Sequence, residues 1–189
     1  MEASLSGKLD IVHDLIEKGA DVNAQGSLYG NALQAAAQWE HSEIVKFLVE
    51  KGADVNAQGG EYGNALQAAA FMGHIENVKF LVEKGADVNA QGGYYGNALQ
   101  AAACEQKLEI VKFLIEKGAD VNAQGGFYGN ALQAAAHWGS LEIVKFLVEE
   151  GADVNVQGRF DNALQAAVEC WDKSTGPSIV AFLKSQGAH

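Results

Sequence analysis

The 189-residue chain predicts an all-α solenoid, a stack of helix-turn-helix units joined by β-hairpin-like loops. Three observations predict it. The block Gly-Ala-Asp-Val-Asn-Ala-Gln-Gly returns at residues 19, 52, 85 and 118, and with one Val for Ala at 151, so the chain repeats every 33 residues. Within each period an Asn stands three residues ahead of a Gln at the head of an alanine-rich run, as at Asn64 and Gln67. A second apolar stripe then runs at helical spacing and stops at glycine, as in the segment before Gly85. A unit this short buries no core alone, so each layer must pack on the next.

The first helix of each unit opens at Asn31, Asn64, Asn97, Asn130 or Asn162, because an Asn side-chain oxygen accepts the free amides of a first turn. The partner Gln34, Gln67, Gln100, Gln133 or Gln165 sits at capping-box spacing and is expected to reach back to the cap amide. The run Ala-Leu-Gln-Ala-Ala-Ala supplies the best helix former. The second helix, residues 76 to 84 in one unit, places Val78, Leu81 and Val82 on one face, leads with Glu, trails with Lys and ends at Gly85. The segment Asp-Val-Asn-Ala-Gln-Gly-Gly between units reads as an extended turn.

The expected organisation is one array over 1–189: a half unit at 1–18, units at 19–51, 52–84, 85–117 and 118–150, and a closing unit at 151–189 with an insertion around Ser174-Thr175-Gly176-Pro177. Both ends look capped. Asp14 stands where inner units carry Phe47, Phe80, Phe113 and Phe146, and Lys184 stands where they carry Val49, Val82, Ile115 and Val148.

Composition narrows the function classes. The chain has no apolar run of about 18 residues and no leader-like amino terminus, which points to a cytoplasmic protein without a membrane span. Cys104 and Cys170 fall two layers apart and are expected to be free thiols, suiting a reducing compartment. A net charge of -11 with a single arginine disfavours nucleic acid and anionic membrane as partners.

Residues that repeat unchanged are accounted for by stacking. The informative positions are those that differ from unit to unit. One set closes the first helix: Gln38 and Trp39, Phe71 and Met72, Cys104 and Glu105, His137 and Trp138, then Glu169 and Cys170 followed by Trp171. The other lies in the connecting loop: Leu28, Glu61, Tyr94, Phe127 and Arg159. Aromatic residues at polar-flanked, non-repeating places suit a protein interface, where an anchor can contribute ~2 kcal/mol or more. The invariant Tyr29, Tyr62, Tyr95 and Tyr128 read instead as packing between loops.

The period, the Gly-Ala-Asp-Val-Asn-Ala block, the Gly73-His74 pair and Glu-Ile-Val-Lys-Phe-Leu-Val-Glu-Lys closely resemble the ankyrin repeat over essentially the whole chain. The family's Thr-Pro-Leu-His segment reads Asn-Ala-Leu-Gln here, which replaces its histidine by glutamine. The resemblance implies that both variable sets line a concave surface where a protein partner docks, with Trp39, Met72 and Trp138 as a ladder. The Tyr-Gly-Asn-Ala-Leu-Gln-Ala-Ala wording and the near identity of the units are most similar to arrays of fungal NACHT-type receptors, where the array would sense a ligand; a consensus-like scaffold without a natural partner is also compatible.

The remaining chemistry points away from catalysis. His74-Ile75-Glu76 has no following cysteine pair to complete a zinc site, no glycine motif frames a phosphate, and no nucleophile has a base in a local pattern. No cofactor or metal is expected, and the array is expected to be monomeric with a basic partner. His41 and His74 fall in the turn between helices as structural hydrogen bonders. Asp21, Asp54, Asp87, Asp120 and Asp153 read as ligands of nearby amides. Asn23, Asn56, Asn89, Asn122 and Asn155 occupy the context that serves asparaginyl hydroxylases in animal ankyrin proteins, although a turn-forming role accounts for them as well.

Overall fold

The computed structural model describes residues 1–26 and 28–189 and folds them into stacked helix pairs. The pairs are α1 (Glu2–Leu5) with α2 (Leu9–Glu17), α3 (Ala32–Gln38) with α4 (Ser42–Glu50), α5 (Ala65–Met72) with α6 (Ile75–Glu83), α7 (Ala98–Cys104) with α8 (Leu108–Glu116), α9 (Ala131–His137) with α10 (Leu141–Glu149), and α11 (Ala163–Val168) with α12 (Gly176–Ser185). Odd-numbered helices form an inner row and even-numbered helices an outer row. Neighbouring inner helices pack far more extensively on each other than neighbouring outer helices do. Alanine lets the inner backbones approach, whereas the bulkier Phe and Lys side chains of the outer helices hold those helices further apart.

The inner helices start as their sequence dictates. Each cap Asn is extended, and its side-chain oxygen accepts the amide of the Gln three residues on at 2.8–3.0 Å. The reciprocal half of the capping box differs from expectation. Only Gln34 returns a bond, its Oε1 accepting from the Asn31 amide at 2.7 Å. Gln67, Gln100 and Gln133 leave that oxygen buried without a partner. The other end of the same side-chain amide joins the next layer. Gln67 Nε2 donates to the carbonyls of Ala90, Gly92 and Gly96 in the next loop at 3.3, 3.2 and 2.8 Å. Gln34 makes the same triple to Ala57, Gly59 and Gly63.

A second ladder joins the loops. Asn56 Nδ2 donates to the Gly85 carbonyl at 3.0 Å while its Oδ1 accepts the Asp87 amide at 2.8 Å. Asn23, Asn89 and Asn122 repeat this pattern, and Asn155 makes it to Gly187 and His189. Each Asp accepts the amide two residues on, as Asp54 does from Asn56 at 2.9 Å. Four of the loops also close on themselves through bridges such as Gly92 with Gly96. Gly93 has φ +62°, and a Cβ there would strike the Tyr62 carbonyl of the preceding loop, so glycine is required on both counts.

The core is a pile of equivalent layers. Leu33, Leu66, Leu99 and Leu132 from the inner row meet Leu48, Leu81, Leu114 and Leu147 from the outer row, all essentially sealed. Each such side chain contributes about 1.5–3 kcal/mol of burial. His41 and His74 hold the helix-to-helix turns, with Nε2 3.0 Å from the Leu5 and Gln38 carbonyls. At the ends, Asp14 and Lys184 are exposed, but Leu9, Ile11 and Leu15 also stay exposed on α2 and Val168 on α11. The outer end faces are therefore only partly polar.

One core position breaks the pattern. Ile44, Ile110 and Ile143 correspond to Asn77 in α6, which is 1% exposed with Nδ2 unpartnered. An unmet buried amide costs about 1–3 kcal/mol. Asn77→Ile should therefore raise the urea midpoint at unchanged slope, by about 1–3 kcal/mol in stability; a lower midpoint would show that the amide has a use in the fold.

Candidate interaction surface

Two structural devices set the variable residues side by side. The inner helices stack, which lines up their last residues. The loop tips are tied by backbone bonds from Glu61 to the Leu28 carbonyl at 3.2 Å, Tyr94 to the Glu61 carbonyl at 2.9 Å and Phe127 to the Tyr94 carbonyl at 2.8 Å.

Aromatic rings connect the two rows. Phe71 lies 4.4 Å from Tyr95 and 5.3 Å from Tyr62. Tyr95 meets Tyr94 edge-on at 5.0 Å, and Tyr94 stacks on Phe127 at 4.6 Å. Tyr128 packs on Trp138 and Phe160, His137 stacks on Phe160 at 4.7 Å, and Trp138 approaches Trp171 at 6.2 Å. The strip is continuous from Tyr62 to Trp171. The invariant tyrosines pack between loops and at the same time floor this strip, a role that their lack of variation hid.

The expected surface residues divide by exposure. Leu28, Trp39, Tyr94 and Trp171 are 57%, 53%, 42% and 74% exposed. Glu61, Arg159 and Glu169 are exposed as well, and Phe71, Met72, Glu105, Phe127, His137 and Trp138 are half-buried. Gln38 and Cys104, by contrast, are 8% and 3% exposed and lie within the fold. They close the first helix at the position where its last turn tucks under the next layer, so neither is available to a partner. The expected Trp39, Met72 and Trp138 ladder is not continuous in aromatic contact. Trp39 has no ring neighbour among the described residues, Glu105 interrupts the row, and the Trp138 indole nitrogen is sealed without a partner.

Burial shapes the chemistry beneath the strip. It pushes the Cys104 thiol up to about 12, partly offset by the Tyr128 hydroxyl, and it pushes the Tyr128 phenol up to about 12. It holds the His137 imidazole below its usual range. Tyr62 is raised first by burial and then by the carboxylates of Glu61 and Glu105, which places both anions beside the strip. Cys104 and Cys170 are unbridged. Among the described residues no cluster of His, Cys, Asp or Glu is arranged to hold a metal, and no helix is long and apolar enough to cross a membrane.

The repeated asparagines have both ends of their amides engaged in the loop ladder, so a modifying enzyme would have to release them first.

The family model for ankyrin repeats (3 copies) matches residues 1–92 and again 93–158. With that coverage, the helix pairs and the loop ladder, the chain belongs to the ankyrin repeat family, whose members generally serve as protein-protein interaction modules. No curated protein sequence matches the chain significantly.

The raised thiol and phenol make stability alkali-sensitive. Both groups have folded pKa values above their ordinary 9.0 and 10.0, so their contribution is complete below about pH 9 and drains away as pH climbs toward about 12. Urea unfolding between pH 8 and 11 should show falling stability, with a shallower fall in a Cys104→Ala, Tyr128→Phe double variant; parallel curves would contradict the assignment.

Proposed function

We propose that the array, read as a single unit over 1–189, is a non-catalytic recognition module that binds a protein partner on its concave face as a monomer. What supports this reading is the coincidence of large exposed side chains with positions that vary between otherwise near-identical units: Trp39, Tyr94 and Trp171, each well over a third exposed. Solvating rings of this size without use is unfavourable, and interfaces favour Trp and Tyr as anchors. Glu61, Glu105 and Glu169 flank the rings in a chain of net charge -11, so a basic partner is steered toward the face and an acidic one repelled. The near identity of the units supports a ligand-sensing array of the fungal NACHT-receptor type, acting within the cell. The same uniformity also favours a second reading, a consensus-like scaffold without a natural partner.

Capture from a fungal extract separates them. Wild-type array should retain a basic protein that the triple variant Trp39→Ala, Tyr94→Ala, Trp171→Ala fails to retain. Because these residues are largely exposed, the variant should unfold within about 1 kcal/mol of wild type. Trp138→Ala, by contrast, should lose about 2 kcal/mol or more, since its ring is packed. No capture by either would leave the scaffold reading in possession, whereas equal capture by both would overturn the assignment of the partner to these three residues.

A further inference from the structure

The loop tips form a column of planar and charged groups at nearly stacking distance. Its C-terminal end is Arg159, whose guanidinium carbon lies 3.4 Å from the Phe127 ring centroid. Phe127 in turn stacks on Tyr94 at 4.6 Å with the planes 22° apart. The backbone bond from Tyr94 to the Glu61 carbonyl puts Glu61 one step further along, and the bond from Glu61 to the Leu28 carbonyl puts Leu28 beyond it. The order along the column is therefore cation, ring, ring, carboxylate, apolar side chain.

Phe127 has both faces covered, one by Arg159 and one by Tyr94. Tyr94 stacks on a single ring of the column, Phe127, and remains 42% exposed, with Tyr95 set nearly perpendicular to it at 5.0 Å. Glu61 makes no salt bridge among the described residues, although lysines elsewhere pair with Glu43, Glu76, Glu109 and Glu116. Glu105 adds a second carboxylate near the same place, since both anions bear on Tyr62. The surface thus offers a π face and an unpaired anion beside one another, and what it lacks is a planar cation.

We infer that the open face of Tyr94 is the seat of an arginine side chain from the protein partner, with its guanidinium stacked on the phenol ring and paired to Glu61. The inference deepens the concave-face reading above and rests on it. Guanidinium is flat, weakly hydrated and able to stack and to bond a carboxylate at once, whereas lysine's ammonium is a compact, strongly hydrated point. Arg159 on Phe127 shows the chain itself using this geometry one step away. The aliphatic stem of the incoming residue would lie along Leu28, which is 57% exposed.

The test uses the full chain and two short blocked peptides, Gly-Gly-Arg-Gly-Gly and its citrulline counterpart, which keeps the shape and removes the charge. Titrations followed by the Tyr94 ring and Glu61 amide resonances should saturate with the arginine peptide and be weaker by about tenfold with citrulline. Glu61→Gln should weaken the arginine peptide about threefold or more, and Tyr94→Leu about tenfold, while Tyr94→Phe, which keeps the ring, should bind within about twofold of wild type. Equal titration by both peptides, unmoved Tyr94 resonances, or indifference to Glu61→Gln would overturn the seat. Partner capture that survives Glu61→Gln and Tyr94→Leu but not the loss of Trp39, Tyr94 and Trp171 together would remove the arginine and leave the concave-face reading standing.

Discussion

The interaction on which this structure depends is the reach of one glutamine amide into the next layer. Gln34, Gln67, Gln100 and Gln133 each sit sealed at the head of an inner helix and donate to loop carbonyls that follow 23 to 29 residues later. The Gly63, Gly96 and Gly129 carbonyls also accept an amide of their own loop, but leaving carbonyls such as those of Ala57 and Ala90 unmet in a closed interface would cost about 1–3 kcal/mol apiece, so the loop has one favoured position on its predecessor. Gln165 marks the limit of the device. Its amide turns out instead to Glu169 at 3.0 Å.

Once the loops are fixed, the rest is geometry. Backbone bonds between successive tips bring positions one period apart to neighbouring places, and whatever side chains the sequence puts there become a row. The asparagine ladder does the same on the other limb of each loop. The repeated residues are consumed by this work: Asn and Gln join layers, Asp holds the turn, glycine lets backbones pass within contact of one another, and Leu and Ala fill the core. Only the non-repeating residues are left for recognition, which is why a partner surface is found by asking where the units disagree.

The fold was legible in the sequence because period, caps and apolar spacing all point one way. Asn64 and Gln67 marked a helix start, and Gly85 marked a helix end, each for a local reason. Less was legible where one side chain serves two demands. Gln67 satisfies the capping-box spacing, yet its side-chain amide joins the next layer at Ala90, Gly92 and Gly96, a partner set that no local spacing reveals. Cys104 and Gln38 vary as surface residues do but lie inside, because variation marks the end of the helix and not the direction of the side chain. Tyr95 shows the converse: it repeats without change, and still lies in the aromatic strip between Phe71 and Tyr94. Asn77 gave no signal beyond a missing isoleucine.

The fastening of the loops by glutamine is tested most directly by amide hydrogen exchange on a Gln67→Ala variant. That change frees the loop carrying Tyr94 while leaving its core leucines in place. The Tyr94 amide, which donates to the Glu61 carbonyl, should lose protection markedly, whereas amides in the middle of α8 and α10 should keep theirs. Unchanged protection at Tyr94, or a uniform loss through every layer, would contradict the claim that one side chain per layer sets the recognition row.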